Sequence, residues 1–164
     1  MAEDIISLID TEPPNRYRFD YKGKHRYLIT LPVCASKKIF TEQRVVVAVL
    51  NCLRDTALKH HFDVYAYCLL PDQMVMIARG KDDNAEMKGF VSEFRTLAST
   101  TLEPELGHPL WKKKYLERVL RKKEDTKRIA DNIFQMPVKA GLAKKASDYP
   151  FQGSFVVIPK QRHF

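Results

Sequence analysis

Two apolar segments separated by only two residues limit the folds open to this chain more than any other part of its sequence. Phe62 to Leu70 (FDVYAYCLL) is aromatic and almost continuously apolar, as expected of a central strand. Pro71-Asp72 has the composition of a tight turn, and residues 73–78 (QMVMIA) form a second predicted strand. Because parallel strands need a long crossover connection, we expect these two strands to be antiparallel neighbours.

Segments with strand or helix periodicity flank this hairpin on both sides. The sequence predicts a strand at 25–33, a helix from Thr41 to about His60, the hairpin, a helix at 84–102 ended by Pro104 and Gly107, a strand at 110–120, and a helix from Glu124 or Asp125 to about Met136 closed by Pro137 and Gly141. This order predicts the α+β class, as a ferredoxin-like split βαβ sandwich. We expect a four-stranded antiparallel sheet with helices on one face and a further C-terminal helix.

The length of 164 residues suits one domain with short tails. We place an extended N-terminal arm at 1–24, because it carries scattered charge and two prolines without an apolar period. The domain is expected at 25–155 and a C-terminal tail at 156–164. A content of 45% hydrophobic and 29% charged residues excludes collagen-like and wholly disordered chains.

The sequence lacks the marks of a membrane protein, a disulfide scaffold or a metal site. Its longest aliphatic run is Val45 to Leu50, far below the ~18 residues of a span, and the N-terminus is acidic, unlike a signal peptide. The three cysteines are widely spaced without a CxxC pair, and the adjacent His60 and His61 diverge by about 100° on a helix. We therefore expect a cytoplasmic protein with no membrane contact.

Basic residues are concentrated in one part of the chain. Residues 105–145 hold twelve basic and five acidic side chains, which accounts for most of the net charge of +8. Such a local field favours phosphate binding by Coulomb attraction and counterion release, although a solubilising lysine surface has the same composition. No glycine-rich nucleotide loop or hydrolase motif occurs.

Four short segments, in order, resemble the single-tyrosine HUH transposases, especially the REP-associated tyrosine transposases. The segment YAYCLLPDQMVMI at 65–77 resembles the family's A-Y-x-L-M-P-N-H-V-H-hydrophobic, PLW at 109–111 with Tyr115 resembles L-W-x-x-x-F, MPVKAGL at 136–142 resembles N-P-V-R-A-G-L, and DYPF at 148–151 resembles D-Y-P-W. Together they cover about residues 25–155. The resemblance implies the ferredoxin-like fold that the order of elements also predicts.

The residues that perform the family's reaction are replaced in this sequence. In the family, two histidines on one strand face bind Mg²⁺ or Mn²⁺, and a helical tyrosine attacks the phosphodiester to form a phosphotyrosine. Here the histidine positions are Gln73 and Val75, and the tyrosine position aligns with Asn132. A valine has no lone pair, and an asparagine amide is not a nucleophile for phosphodiesters. The resemblance therefore implies an inactive relative with no catalytic residue, metal or cofactor.

DNA binding is the function that the remaining residues favour. The expected contacts to single-stranded or hairpin DNA are Lys112, Lys113, Lys114, Tyr115, Arg118, Arg121, Lys122, Lys123 and Arg79. Basic residues of the arm, Arg16 to Arg26, could add to them, whereas Trp111 is expected in the core.

Two alternatives stay open. One is a divergent transposase that still cleaves and rejoins single-stranded DNA, with Tyr115 or Tyr149 as nucleophile. The other is a protein- or RNA-binding module that uses the free face of the sheet or the acidic arm. The sequence also leaves open whether the chain forms a homodimer.

Overall fold

In the computed structural model, which describes residues 19–34 and 37–160, strands and helices alternate as the sequence predicts. The strands are β1 (Arg26–Pro32), β2 (Phe62–Leu70), β3 (Gln73–Gly80), β4 (Leu116–Val119) and β5 (Gln152–Gly153), and the α-helices are α1 (Gln43–His60), α2 (Met87–Leu106) and α3 (Thr126–Lys139). The strands pair antiparallel in the order β4-β1-β3-β2-β5. The predicted ferredoxin-like α+β fold is confirmed, and β5 extends the predicted four-stranded sheet by one short edge strand.

Helices cover both faces of the sheet. One core lies beneath α1 and α2 and contains Tyr27, Ile29 and Met76 among its fully buried side chains. A second, smaller core lies beneath α3 and includes Val75 and Ile133. Side chains on β3 alternate between these cores because successive residues of a strand point to opposite faces, so the near-continuous apolar character of the central strands follows from burial on both sides.

The helices α2 and α3 extend beyond the prolines that were expected to end them. Pro104 lies inside α2 and Pro137 inside α3, so the prediction that these prolines end the helices is wrong, whereas Gly107 and Gly141 stand at the helix ends as predicted. The φ angle that proline fixes is compatible with a helix, and a proline near the end removes only one hydrogen bond. Each helix instead ends beside a glycine with positive φ, Gly107 at 74° and Gly141 at 76°.

The strand β4 is much shorter than the predicted segment 110–120. Trp111 forms a single bridge with Val33, and the Lys112 N–H donates to the Pro32 carbonyl at 2.9 Å. The chain then leaves the sheet and pairs with β1 again only from Leu116 to Val119. The Arg95 guanidinium of α2 accounts for the gap. It donates hydrogen bonds to the carbonyls of Lys112 and Lys113, which in a regular strand would accept from the neighbouring strand.

The predicted arm lies mostly outside the described residues, because the structure describes the chain from Phe19 onward. The described part follows the domain surface. The Gly23 N–H donates to the Ala85 carbonyl at 2.8 Å, and the Met87 N–H donates to the Tyr21 carbonyl at 2.9 Å. These bonds join the segment to the start of α2.

Membrane spans and disulfides are absent from the described parts of the chain. No helix within 19–34 and 37–160 is both long and apolar enough to cross a bilayer. The three cysteines are free thiols, with Cys52 and Cys68 buried and Cys34 partly exposed.

Candidate nucleic-acid interface

The position of the second family histidine lies inside the core. Val75 stands opposite Cys68 on β2 and opposite Thr30 on β1, and its side chain is only 4% exposed beneath α3. Gln73, two residues earlier on the same face, is half-buried at the start of β3. The strand therefore offers one amide and one aliphatic side chain where the family has two imidazoles.

The position of the family tyrosine lies on the outer side of α3. Asn132 is exposed, whereas Ala130, Ile133 and Pro137 are the neighbouring buried residues of this helix. Ile133 packs in the same core as Val75. At these positions α3 presents aliphatic groups to β3.

The divalent metal that the two histidines of the transposase family bind does not fit these residues. Gln73 carries a single weak oxygen donor and Val75 carries none. Among the residues that the structure describes, no group of three or more His, Cys, Asp or Glu side chains could hold a metal ion.

Neither candidate tyrosine has a lowered pKa. The Tyr149 hydroxyl donates to the Leu69 carbonyl at 2.6 Å, and burial, with a smaller effect of Cys68, raises its pKa to about 12. Burial and the neighbouring Glu117 carboxylate also raise the pKa of Tyr115. Both phenols are neutral at physiological pH.

The predicted DNA-binding residues lie mainly at the two ends of β4. Lys112, Lys113 and Lys114 precede the strand and are exposed, and Arg121, Lys122 and Lys123 follow it and are exposed too. Six residues, 115–120, lie between the two groups, and the four of them that form β4 span roughly 13 Å. The expectation that Lys112, Lys113 and Lys114 lie on the fourth strand is wrong, because the strand itself is only Leu116–Val119.

A groove lies between α2 and the segment that leads into β4. Its volume is about 550 Å³. Four hydroxyl-bearing residues of α2 line one wall, namely Ser92, Thr96, Ser99 and Thr100, and the segment 109–115 lines the other. Lys112 and Lys113 lie on this second wall, so hydroxyl donors and cations face the same space, which the Glu103 carboxylate of α2 also lines.

Arg95 holds the lysine segment against α2. Its Nη2 atom donates to the carbonyls of Lys112 and Lys113, the second at 3.2 Å. Its guanidinium carbon lies 5.2 Å from the centroid of the Tyr115 ring, within the range of a cation–π contact. Burial lowers the pKa of Arg95. The side chain thus fixes the backbone from which the lysines project.

Trp111 belongs to the core as expected. It is 7% exposed and packs against Phe40 and Phe94 at ring-centroid distances of 5.9 and 5.8 Å. Its indole N–H donates to the Arg95 carbonyl at 3.2 Å. Because Trp111 directly precedes Lys112, its packing holds the start of the lysine segment against the core.

The turn after β4 is organised by Glu124. Its carboxylate accepts from the Arg118 guanidinium and from the Arg121 backbone N–H, both at 2.6 Å. Although partial burial opposes the shift, these donors hold the pKa of Glu124 below its usual value. Arg118 is thereby engaged within the protein, and the exposed residues 121–123 follow it in the turn.

Sequence reasoning missed Arg95 and the four hydroxyls of α2. The hydroxyls carried a detectable signal, because Ser92, Thr96, Ser99 and Thr100 recur at helical spacing on the side of α2 away from its apolar stripe. Arg95 carried none, since its partners are backbone carbonyls that only the tertiary structure brings near.

Comparisons with known proteins identify the fold. No protein-family model matches the sequence, and no curated protein matches it. The structure is similar to that of the REP-associated tyrosine transposase bound to a REP hairpin, with a TM-score of 0.69 and 21% identity over 84% of this chain and 81% of that one. It is also similar to a Deinococcus radiodurans R1 protein assigned to the transposases, with a TM-score of 0.54 and 16% identity over 73% and 95% of the two chains. At these identities the likeness shows a shared fold.

Proposed function

We propose that the protein binds single-stranded or hairpin DNA and does not cleave it. The observation that carries the proposal is the exposed lysine segment 112–114, held by Arg95 beside a groove of about 550 Å³. Supporting it, the protein of similar fold with the higher TM-score was solved with a REP hairpin bound.

The chemistry of the groove suits a sugar–phosphate backbone. Lys112 and Lys113 supply charge for phosphate groups, and the Ser92, Thr96 and Ser99 hydroxyls opposite them supply neutral hydrogen-bond donors. Tyr115 lines the same groove with a partly exposed aromatic ring, and a base that stacks on it would share the ring with the Arg95 guanidinium. Phosphate contacts of this kind position a strand without reading its sequence.

The absence of cleavage is inferred from the chemistry of three positions. Val75 is buried and offers no lone pair, Gln73 offers one amide oxygen, and Asn132 is exposed on α3. The neutral phenols of Tyr115 and Tyr149 offer no activated substitute. These residues therefore favour DNA binding without strand transfer.

A salt titration of a matched pair of triple variants tests the binding site. Lys112→Gln/Lys113→Gln/Lys114→Gln removes three charges beside the groove, and Lys139→Gln/Lys144→Gln/Lys145→Gln removes three exposed charges elsewhere. With labelled single-stranded DNA we expect the first variant to lose about a hundredfold in affinity at 0.1 M salt and about two units of the salt slope. The control variant should keep both. Equal losses in the two variants would contradict the proposed site.

A gel with paired lanes tests the absence of cleavage. Single-stranded and hairpin DNA are incubated with Mg²⁺, Mn²⁺ or chelator and resolved under native and denaturing conditions. We expect a native shift that is indifferent to metal and no cleaved strand or denaturation-resistant adduct. A metal-dependent adduct would establish the divergent-transposase alternative, and stronger binding to RNA of the same sequence would establish the RNA-binding alternative.

A further inference from the structure

A second basic pocket lies at the other end of β4, on the face of the sheet that carries α3. It has a volume of about 360 Å³. Its charged and polar lining consists of Arg26, Tyr65, Arg79, Lys122, Thr126 and Lys160. Four of these six side chains are cationic, and no carboxylate is among the lining residues described.

The two arginines of this pocket are brought together by strand pairing. Arg26 on β1 stands directly opposite Arg79 on β3. Burial lowers the pKa of Arg26, Glu124 partly offsets this, and Arg79 lowers it further by like-charge repulsion. An anion placed between the two guanidinium groups would relieve that repulsion.

The guanidinium of Arg26 already donates hydrogen bonds within the protein. Its Nη1 atom donates to the Glu124 carbonyl at 2.6 Å and to the Thr126 hydroxyl at 2.7 Å, and its Nη2 atom donates to the Arg121 carbonyl at 2.5 Å. The side chain therefore contributes its charge and holds the turn that carries Lys122 against the pocket. Direct donors to a ligand come from other residues.

Arg79 is the side chain with donors to spare. It is half-buried and stands between Arg26 on β1 and Asp63 on β2 in the strand register, and within the described residues its guanidinium forms no ion pair within 4 Å of the Asp63 carboxylate. Tyr65, at the bulge of β2 between Val64 and Ala66, belongs to the core beneath α3 and lines the same pocket. A guanidinium fork with a neighbouring phenol is suited to a tetrahedral oxyanion.

We propose that this pocket binds a terminal phosphate monoester of a DNA strand. A phosphate monoester carries about −1.5 to −2 charges at pH 7, which matches a cluster of four cations better than the single charge of a backbone diester. Arg79 donates two hydrogen bonds to the phosphate oxygens, and Lys122 and Lys160 add positive charge around the phosphate. The inference rests on the proposed DNA binding and assigns one end of the strand to a separate pocket.

The pocket is distinct from the positions that resemble the family's catalytic residues. Arg79 lies four residues beyond Val75 on the same face of β3, which is roughly 13 Å along the strand. The lysine segment 112–114 lies at the opposite end of β4. A strand held by both regions would have its phosphate end beside α3 and its backbone beside α2.

The test compares two single-stranded oligonucleotides that differ only in a 5′-phosphate or a 5′-hydroxyl, each labelled at the 3′ end. By fluorescence anisotropy we expect the wild-type protein to bind the phosphorylated strand about tenfold more tightly. Arg79→Gln should bring this ratio close to one, because it weakens binding of the phosphorylated strand much more than binding of the hydroxyl strand. Arg44→Gln, which removes one exposed charge from α1, should keep the ratio.

Each alternative result has a distinct meaning. Equal binding of the two strands by the wild type would overturn the pocket and leave the proposed function standing, whereas no binding of either strand would overturn both. If Arg79→Gln weakened both strands equally, the pocket would hold a backbone phosphate and the terminal assignment would be wrong. Lys160→Gln, a substitution of an exposed residue outside the helices and strands, should reduce the ratio without a change in thermal midpoint, which separates loss of the ligand from loss of the fold.

Discussion

The guanidinium of Arg95 lies 5.2 Å from the centroid of the Tyr115 ring and ties α2 to the segment that precedes β4. The same group donates to the carbonyls of Lys112 and Lys113. A residue of one helix therefore sets the path of the lysines that we assign to DNA. Its role is to position charge on other residues.

This relationship predicts that Arg95→Lys will be nearly as damaging as Arg95→Gln. A lysine keeps the charge but lacks the planar fork that reaches two carbonyls. We expect both variants to lose about 1–2 kcal/mol of unfolding free energy, measured by urea denaturation, together with part of their DNA affinity. Arg128→Gln, at an exposed position of α3, is the matched control. Full DNA affinity in Arg95→Lys would show that the charge alone matters.

The burial of Val75 predicts that a histidine is not accommodated there. Val75→His places a polar ring among Cys68, Ile77 and Ile133, and we expect a loss of about 1–3 kcal/mol in unfolding free energy. The control is Val47→His on α1, where the side chain is 45% exposed and the change should be small. A thermal midpoint of Val75→His that rises on addition of Mn²⁺ would contradict this burial.

The hydrogen bond from Tyr149 to Leu69 predicts a stability that depends on alkaline pH. Burial raises the pKa of Tyr149 from 10.0 to about 12, so the folded protein holds this proton more tightly than the unfolded chain. The resulting stabilisation is complete below pH 10 and is lost as the pH rises from 10 to about 12.

Tyr149→Phe tests this dependence by urea denaturation between pH 7 and 11. At pH 7 we expect the variant to be less stable by about 1 kcal/mol, because the Leu69 carbonyl loses its donor. The difference from the wild type should shrink above pH 10. A difference that stays constant to pH 11 would show that the phenol is not protected from ionisation.

The three thiols are expected to differ in reactivity. Cys52 is 7% exposed and Cys68 is fully buried, and burial raises the pKa of the Cys68 thiol to about 12. Cys34 is partly exposed. An aromatic disulfide reagent should therefore label one thiol rapidly in the native protein and three in urea. Cys34→Ser should remove the rapid phase, and its persistence would place the reactive thiol elsewhere.

Local patterns in the sequence were sufficient for the architecture. The structure contains the elements that these patterns predicted: the hairpin of β2 and β3 with its turn at Pro71-Asp72, and the helices α1 and α2. Most of the apolar residues of these strands and helices are buried in the core. Pro104 and Pro137 do not end α2 and α3 as predicted, whereas the predicted glycines, Gly107 and Gly141, do stand at the helix ends. Glycine with a left-handed backbone is the physical end of both helices.

The extent of β4 could not be read from its residues. The segment 110–120 alternates well enough for a strand, yet only Leu116–Val119 pairs with β1. Whether a carbonyl bonds to a neighbouring strand or to the Arg95 guanidinium depends on a contact between residues far apart in the chain. That competition divided one predicted basic strand into two basic regions.

The sequence by itself determined the fold class and the chemical character of Gln73, Val75 and Asn132, because side-chain periodicity and donor atoms are properties of local residues. Only the tertiary structure decided which charges meet. Arg26 and Arg79 become neighbours through the register of β1 and β3, and Val75 is sealed by α3. Strand register and packing depend on contacts between residues that are far apart in the sequence. They are set by which backbone groups form hydrogen bonds and which apolar surfaces pack together in the folded chain.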